Sequence, residues 1–228
     1  CAVNKTTSNN GTSGLVSTEK YLTSPALEGR ATGSEGDSLA RIFIRSELQK
    51  AGLRPFTGNG FEYFEARRPF VTEGSDTLTY KNVRTANVAM VLEGTDPALK
   101  SEYVFIGAHF DHLGMGGKAS SSRNRDTVAL HPGADDNASG VTMMLDMAKR
   151  LSSVKNGFPR SIVFLAFSGE ELGLLGSKYF SEHMPVKNSQ VNIMINLDMV
   201  GRMNEGHFLQ IGGVGTAAGL RDSVASLV

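Results

Sequence analysis

Four near-continuous apolar runs of strand length, residues 87–92, 103–108, 161–167 and 191–197, constrain the fold more than any other feature of this chain. A strand open to water on one face alternates apolar and polar residues. A run that is apolar almost throughout needs cover on both faces. Helical patterns lie between the runs, over 139–151 and 172–183. Earlier, residues 37–51 carry Leu39, Ile42, Ile44, Leu48 and Ala51 at helical spacing, closed by Gly52. Residues 17–27 suit a short helix whose start Ser17 and Glu19 favour, 29–34 a loop, and 61–70 a strand. This alternation predicts an α/β protein, a three-layer α/β sandwich with a central mixed, mostly parallel sheet.

At 228 residues the chain fits one domain, or most of one, with residues 1–15 expected as a flexible tether and 16–228 as the domain. Lys and Arg number 23, as do Asp and Glu, so the formal net charge is zero, and no basic run predicts nucleic-acid binding. The apolar runs are far short of a membrane span. The one cysteine, Cys1, excludes a disulfide framework within the chain. Cys1 followed by a polar stretch is similar to the start of a processed bacterial lipoprotein, in which that Cys carries a lipid anchor; the alternative is an arbitrary start. On the lipoprotein reading the protein is expected in the bacterial cell envelope or secreted. Asn4, Asn10 and Asn137 each open a glycosylation-type triplet, a weak pattern that is discounted here.

Open sheets of this class place their chemistry at the carboxyl ends of strands. There the chain carries His109, Asp111 and His112, then Glu170 and Glu171, then Asp198, while Asp135, Asp136 and Asn137 precede a helix. Such donors suit a divalent cation such as zinc. Each group has a plainer reading. His109 and Asp111, two apart in extended chain, share a side, so the carboxylate can orient the ring, or both can be a polar strand end. Asp135 and Asp136 are ordinary helix-capping material, or one of them bridges two cations. Glu170 and Glu171 diverge, so one can bind metal while the other faces a water, or both can form an acidic turn before a helix. Asp198 is a turn cap or a ligand. The joint occurrence of the four groups in this order, each at an element end, favours the metal reading.

The blocks Gly107–Ala108–His109–Phe110–Asp111–His112, Gly133–Ala134–Asp135–Asp136–Asn137–Ala138–Ser139–Gly140, Ser168–Gly169–Glu170–Glu171–Leu172–Gly173 and Asn196–Leu197–Asp198–Met199–Val200–Gly201 resemble those of the M28 zinc peptidases, which include co-catalytic dizinc aminopeptidases. The resemblance covers roughly residues 20–215 and extends to Leu27–Glu28–Gly29–Arg30 with Thr32–Gly33. It implies that His109 and Asp198 bind one zinc, that Glu171 binds a second, and that Asp136 bridges them. It implies Glu170 as general base, Asp111 as the residue orienting His109, and Asp135 behind the ligands. The implied substrates are peptides with a free N-terminus.

The family pattern has one more ligand, a His well downstream of Asp198. No such block occurs here, and His131, His183 and His207 do not match it. His112 is the local alternative, as a residue behind the ligands. The chain is therefore expected to lack the family's C-terminal part, to leave the second zinc without an imidazole, and to hold one zinc or none. Two other readings stand beside the aminopeptidase: a single-zinc enzyme similar to glutaminyl cyclases, and a non-catalytic binding domain on the peptidase fold.

Overall fold

The structure, a computed structural model, describes residues 10–72, 77–203, 205–206 and 210–227. Cys1, Asn4 and His207 lie outside the described residues. The elements run in the order α1 (Asn10–Leu22), a 3-10 turn (Pro25–Arg30), α2 (Glu35–Lys50), β1 (Arg54–Pro55), β2 (Phe61–Val71), β3 (Leu78–Leu92) and β4 (Tyr103–His109). An irregular helical turn (Ala134–Ser139) then leads into α3 (Gly140–Ser152), β5 (Ser161–Phe167), α4 (Leu175–Glu182), a second 3-10 turn (Asn188–Gln190), β6 (Val191–Asn196) and α5 (Leu220–Ala225). Among the described residues no helix is long and apolar enough to cross a membrane.

Among the described residues one sheet holds the six strands, in the order β1-β3-β5-β4-β6, with β2 also paired to β3. The β5–β4 and β4–β6 ladders are parallel, and β3 runs against its three neighbours β1, β2 and β5. The mixed sheet of the α/β expectation is therefore present, with its parallel part confined to β4, β5 and β6. Strand side chains alternate between faces. Val88, Met90, Ile106, Ala108, Ile162, Phe164 and Ala166 pack with Leu22 of α1, Ile44 and Leu48 of α2, and Met144 and Leu145 of α3. Ala89, Phe105, Val163, Leu165 and Phe167 face the other way and pack on Phe180 of α4. Helices thus cover both faces, and every residue of β5 is buried, as a continuous apolar strand requires.

Two boundaries and two burial patterns differ from the sequence expectation for identifiable reasons. Helix α1 starts at Asn10, inside the stretch expected as a tether, because helix propagates back from the packed end at Leu22. In α2 the buried stripe is Ala40, Ile44 and Leu48, whereas Ile42 points to solvent. Strand β3 begins at Leu78, well before residue 87, because its polar first half is paired along β2 from Val71↔Leu78 onward. Arg67 stacks over Tyr80 and Arg84 over Tyr63 across that hairpin, contacts worth about 0.5–1 kcal/mol each when exposed. Strand β6, expected to be covered on both faces, is last in the sheet order among the described residues, and Met194 and Ile195 are exposed there.

A buried polar cluster ties α2 to the exit of β5. Asp37, fully buried, accepts hydrogen bonds from Thr85 Oγ1 of β3 at 2.9 Å and from Ser168 Oγ at 2.6 Å, and it pairs with Arg41. Burial pushes its carboxyl up to about 6, against the pull of Ser168, Arg41 and Thr85. A carboxyl with a higher pKa folded than unfolded binds more protons when folded. The stability tied to that proton is fully present below the unfolded pKa of 3.8 and is lost as pH rises through about 6. A gap of that size corresponds to at most about 3 kcal/mol. Urea melts from pH 4 to pH 7.5 should therefore show the wild type losing up to about 3 kcal/mol relative to Asp37→Asn. A difference that stays flat across that range would refute the assignment.

Candidate metal centre

The site is built by strand register. Across the three parallel strands Gly107 lies opposite Leu165 on one side and Asn196 on the other, and His109 lies opposite Phe167. The chain therefore leaves β4 at His109, β5 into Glu170 and Glu171, and β6 into Asp198, all along one edge of the sheet. The turn before α3 brings Asp135 and Asp136 over the same edge. The Asp136–Asn137 peptide bond is cis.

Two donor groups form there. His109 Nε2 lies 3.2 Å from Asp136 Oδ1 and 3.5 Å from Asp198 Oδ1. His112 Nδ1 lies 2.8 Å from Glu171 Oε1 and 3.9 Å from Asp136 Oδ2. Within each group the ligand atoms lie within 4.8 Å of one another. Asp136 belongs to both, and its two oxygens point to different groups. One imidazole and two carboxylates make a donor set that fits zinc. The local charge agrees. Burial alone would push the His109 imidazole down, yet Asp111, Asp136 and Glu170 around it raise it to about 10. His109 in turn holds Asp136 below the usual carboxylate range. Burial raises Glu170, and nearby Glu171, Asp111 and Asp198 add to that rise against the pull of His109.

Hydrogen bonds fix the backbone beneath these donors. Asp111, fully buried, accepts from the backbone N–H of Glu170 at 3.0 Å and of Glu171 at 3.3 Å, and from Thr32 Oγ1 at 2.8 Å. Its carboxylate is 3.7 Å from His109 Nδ1, whose nearer neighbour is the Asp111 carbonyl oxygen at 3.2 Å. Asp111 thus clamps the Glu170–Glu171 turn to the end of β4. Asn137 Nδ2 donates to the Leu197 carbonyl at 2.9 Å, and its Oδ1 accepts from Met199 N–H at 3.2 Å, bracketing Asp198. Asp135 Oδ1 accepts from Gly201 N–H at 3.0 Å, so it steadies the same loop from outside both donor groups.

Glu170 and Glu171 diverge. Glu170 lines a cavity of about 660 Å³ together with His109, Asp198, Phe105, Phe167 and Met194. Glu171 lines a separate cavity of about 200 Å³ with His112. The 114–125 segment contributes Gly114, Met115, Gly116 and Ala119 to that second cavity, as well as Ser121, whose Oγ donates to the Glu171 carbonyl. Of the other described histidines, His131 has its ring centroid 6.3 Å from that of His112, and His183 is exposed at the end of α4, stacked on Tyr179. Asn137 is fully buried, which excludes it as a glycosylation acceptor in the folded chain.

Sequence reasoning left Arg30, Thr32 and Asn137 without a role, although the first two stand in the block that resembles the family's N-terminal part. Arg30 is fully buried. Its guanidinium donates to the carbonyls of Phe110 at 2.7 Å, Pro132 at 2.8 Å and Gly133 at 2.9 Å, and also to that of Leu22. It therefore joins the exit of β4 to the turn carrying Asp136. Burial lowers its pKa to about 10, while Asp111, Glu19 and Asp136 oppose that fall. Arg30→Met would leave these carbonyls without a charged donor. Urea denaturation should show a loss on the order of 3 kcal/mol or more; a change under about 1 kcal/mol would contradict this role.

The family model described as "Peptidase family M28" matches residues 87–226. Aminopeptidase YwaD of Bacillus subtilis (strain 168) is 49% identical over 79 residues, 33% of this chain and 16% of that protein. The structure of BSAP, a zinc aminopeptidase from Bacillus subtilis, superposes with a TM-score of 0.59 at 18% identity, covering 83% of this chain and 69% of that one. A Tannerella forsythia glutaminyl cyclase superposes with a TM-score of 0.58 at 18% identity, covering 83% and 62%. Likeness at that identity shows a shared fold. The chain spans less than half the length of the first curated relatives it matches, 16% of one and 46% of the next. The family model spans more than half of this chain and includes all four of the metal-type blocks, and on that match the chain belongs to peptidase family M28.

Proposed function

We propose that this chain carries the catalytic centre of a two-zinc exopeptidase that removes N-terminal residues from peptides. The observation that carries the reading is the division of the acidic pair. Glu170 lines the larger cavity beside His109 and Asp198, while Glu171 turns to His112. His109, Asp136 and Asp198 would hold one zinc; Asp136 and Glu171 would contribute to holding the second. When bound, the zinc ions would acidify a water and polarise the scissile carbonyl. Glu170 takes the proton from the attacking water and returns it to the leaving amine. Burial and the nearby Glu171, Asp111 and Asp198 raise its pKa, which makes it a stronger base toward the attacking water. The surplus of carboxylates attracts a protonated substrate amine, the charge that distinguishes a chain end from an internal peptide bond. Asp111 and Asn137 act through backbone, keeping Glu170 and Asp198 in place.

The cavity wall also suggests a preference. Phe105, Leu165, Phe167, Phe180, Met184 and Ile193 make it largely apolar, so a large apolar N-terminal side chain gains by burial there and a charged one loses. Among aminoacyl-nitroanilides, leucine and phenylalanine derivatives should show kcat/KM at least about 10-fold above aspartate or glycine derivatives, the scale of a few kcal/mol of apolar transfer. Equal rates across the series would remove the cavity from the specificity argument.

Glu170→Gln should lower kcat by about 10²–10⁴-fold while leaving zinc content unchanged. Undiminished hydrolysis by that variant would sink the general-base assignment. A single-zinc cyclase-like centre needs only one donor group, and it would show one zinc per chain with cyclisation of N-terminal glutamine. A binding domain would show no turnover in either the wild type or the variant.

A further inference from the structure

We propose that Arg68 anchors a carboxylate carried by the residue that follows the cleaved bond, so that dipeptides, or peptides with an acidic second residue, are the preferred substrates. The inference rests on the exopeptidase reading above and names a substrate class for that site. Strand β3 pairs with β5 only from Val88↔Ala166 onward. Residues 78–87 therefore run on with β2 alone, past the carboxyl end of β5, where the donor groups lie. Strand alternation puts Phe64, Ala66 and Arg68 on one side of this two-stranded arm. Phe64 and Ala66 are buried, so Arg68 is a cation at an inward position, and it is itself half-buried. The arm is seated against the loop before α2. A Cβ at Gly33 would lie 2.5 Å from Val83 Cγ2, and Thr85 Oγ1 donates to Asp37.

Arg68 lines the cavity of about 200 Å³ that also borders Glu171 and His112. Among the described residues no carboxylate pairs with it. Two carboxylates share the cavity wall, but Glu28 is exposed and Glu171 is turned to His112 at 2.8 Å. Asp37, which acts on Arg68 through charge, is spent on Arg41, Thr85 and Ser168. A cation held partly out of water without a counter-ion gains when an anion arrives. Ser34, the N-cap of the 16-residue α2, lines the same cavity, so the positive end of that helix adds to the attraction. With the N-terminal side chain in the larger cavity and the first peptide bond between the donor groups, the next residue leaves on the Glu171 side. That path leads into the smaller cavity and to Arg68. The carboxylate has two possible sources, the chain end of a dipeptide or an Asp or Glu side chain.

The test compares the zinc-loaded chain with Arg68→Gln and Arg68→Met, with circular dichroism to confirm folding. Leu-Ala is measured beside Leu-Ala-amide, and Leu-Glu-amide beside Leu-Gln-amide, for kcat/KM. Reduced-bond analogues of the same peptides, with CH2–NH in place of the peptide bond, cannot be hydrolysed. Their calorimetric titration reads binding apart from turnover. In the wild type at least one acid form should bind about 10-fold or more tightly than its neutral partner, the scale of one charge-assisted hydrogen bond, and KM should follow. In both variants that ratio should fall to about 2-fold or less. A preference confined to the Leu-Ala pair identifies the chain-end carboxylate, and one confined to the Leu-Glu-amide pair identifies the acidic side chain. Equal binding of acid and neutral forms by the wild type, with leucine nitroanilide still hydrolysed, would overturn the inference and leave the exopeptidase reading standing. A preference that survives in both variants would assign the anion to another group and overturn it too. An Arg68-dependent binding preference without hydrolysis of leucine nitroanilide would keep the carboxylate site and remove the hydrolytic reading. If neither variant folds, the wild-type ratios decide alone.

Discussion

Asp136, Glu170, Glu171 and Asp198 gather at one edge of the sheet, and their mutual repulsion must be offset by positive charge held nearby. Within the chain that charge comes from Arg30 below, and bound cations would supply the rest. Arg30 cannot move to meet a changing charge, because its guanidinium is spent on backbone carbonyls from three segments. A fixed anionic site with a fixed backbone beneath it is pre-organised for cations, and the donor types select a metal such as zinc.

The supporting network shows how little of the site depends on side chains touching side chains. Asp111 reaches Glu170 and Glu171 through their amides, Asn137 holds both sides of Asp198 through Leu197 and Met199, and Asp135 reaches Gly201. Binding the peptide group leaves each carboxylate of the donor groups free to point inward. The buried Asp37 cluster extends the same logic one layer back, since Ser168 precedes the acidic pair and ties it to α2 and β3.

Much of the fold was legible because continuous apolar runs carry their own burial requirement. Residues 103–108 and 161–167 match β4 and β5 almost residue for residue. The first half of β3 was not legible, because Thr79, Lys81, Asn82 and Arg84 are stabilised by pairing with β2, which no local pattern announces. The exposure of β6 was hidden for a related reason: an apolar run states what the chain can bury, and its neighbours decide what is buried. Within the site, the types and order of His109, Asp136, Glu170, Glu171 and Asp198 could be read directly. The assignments to Arg30, Thr32 and Asn137 could not, since Arg and Asn serve many roles and only their partners distinguish them.

By itself, then, the sequence determined a two-sided α/β sheet whose strand ends carry imidazoles and carboxylates, because hydrophobic patterning and residue chemistry are local properties. Only the tertiary structure decided which of those groups meet. It brought His112 against Glu171 and turned Asp111 toward two backbone amides more closely than toward His109. It also divided the two oxygens of Asp136 between two donor groups. The physical reason is register: three parallel strands set their exits side by side, and the Arg30 and Gly133 contacts fix how the chain turns there.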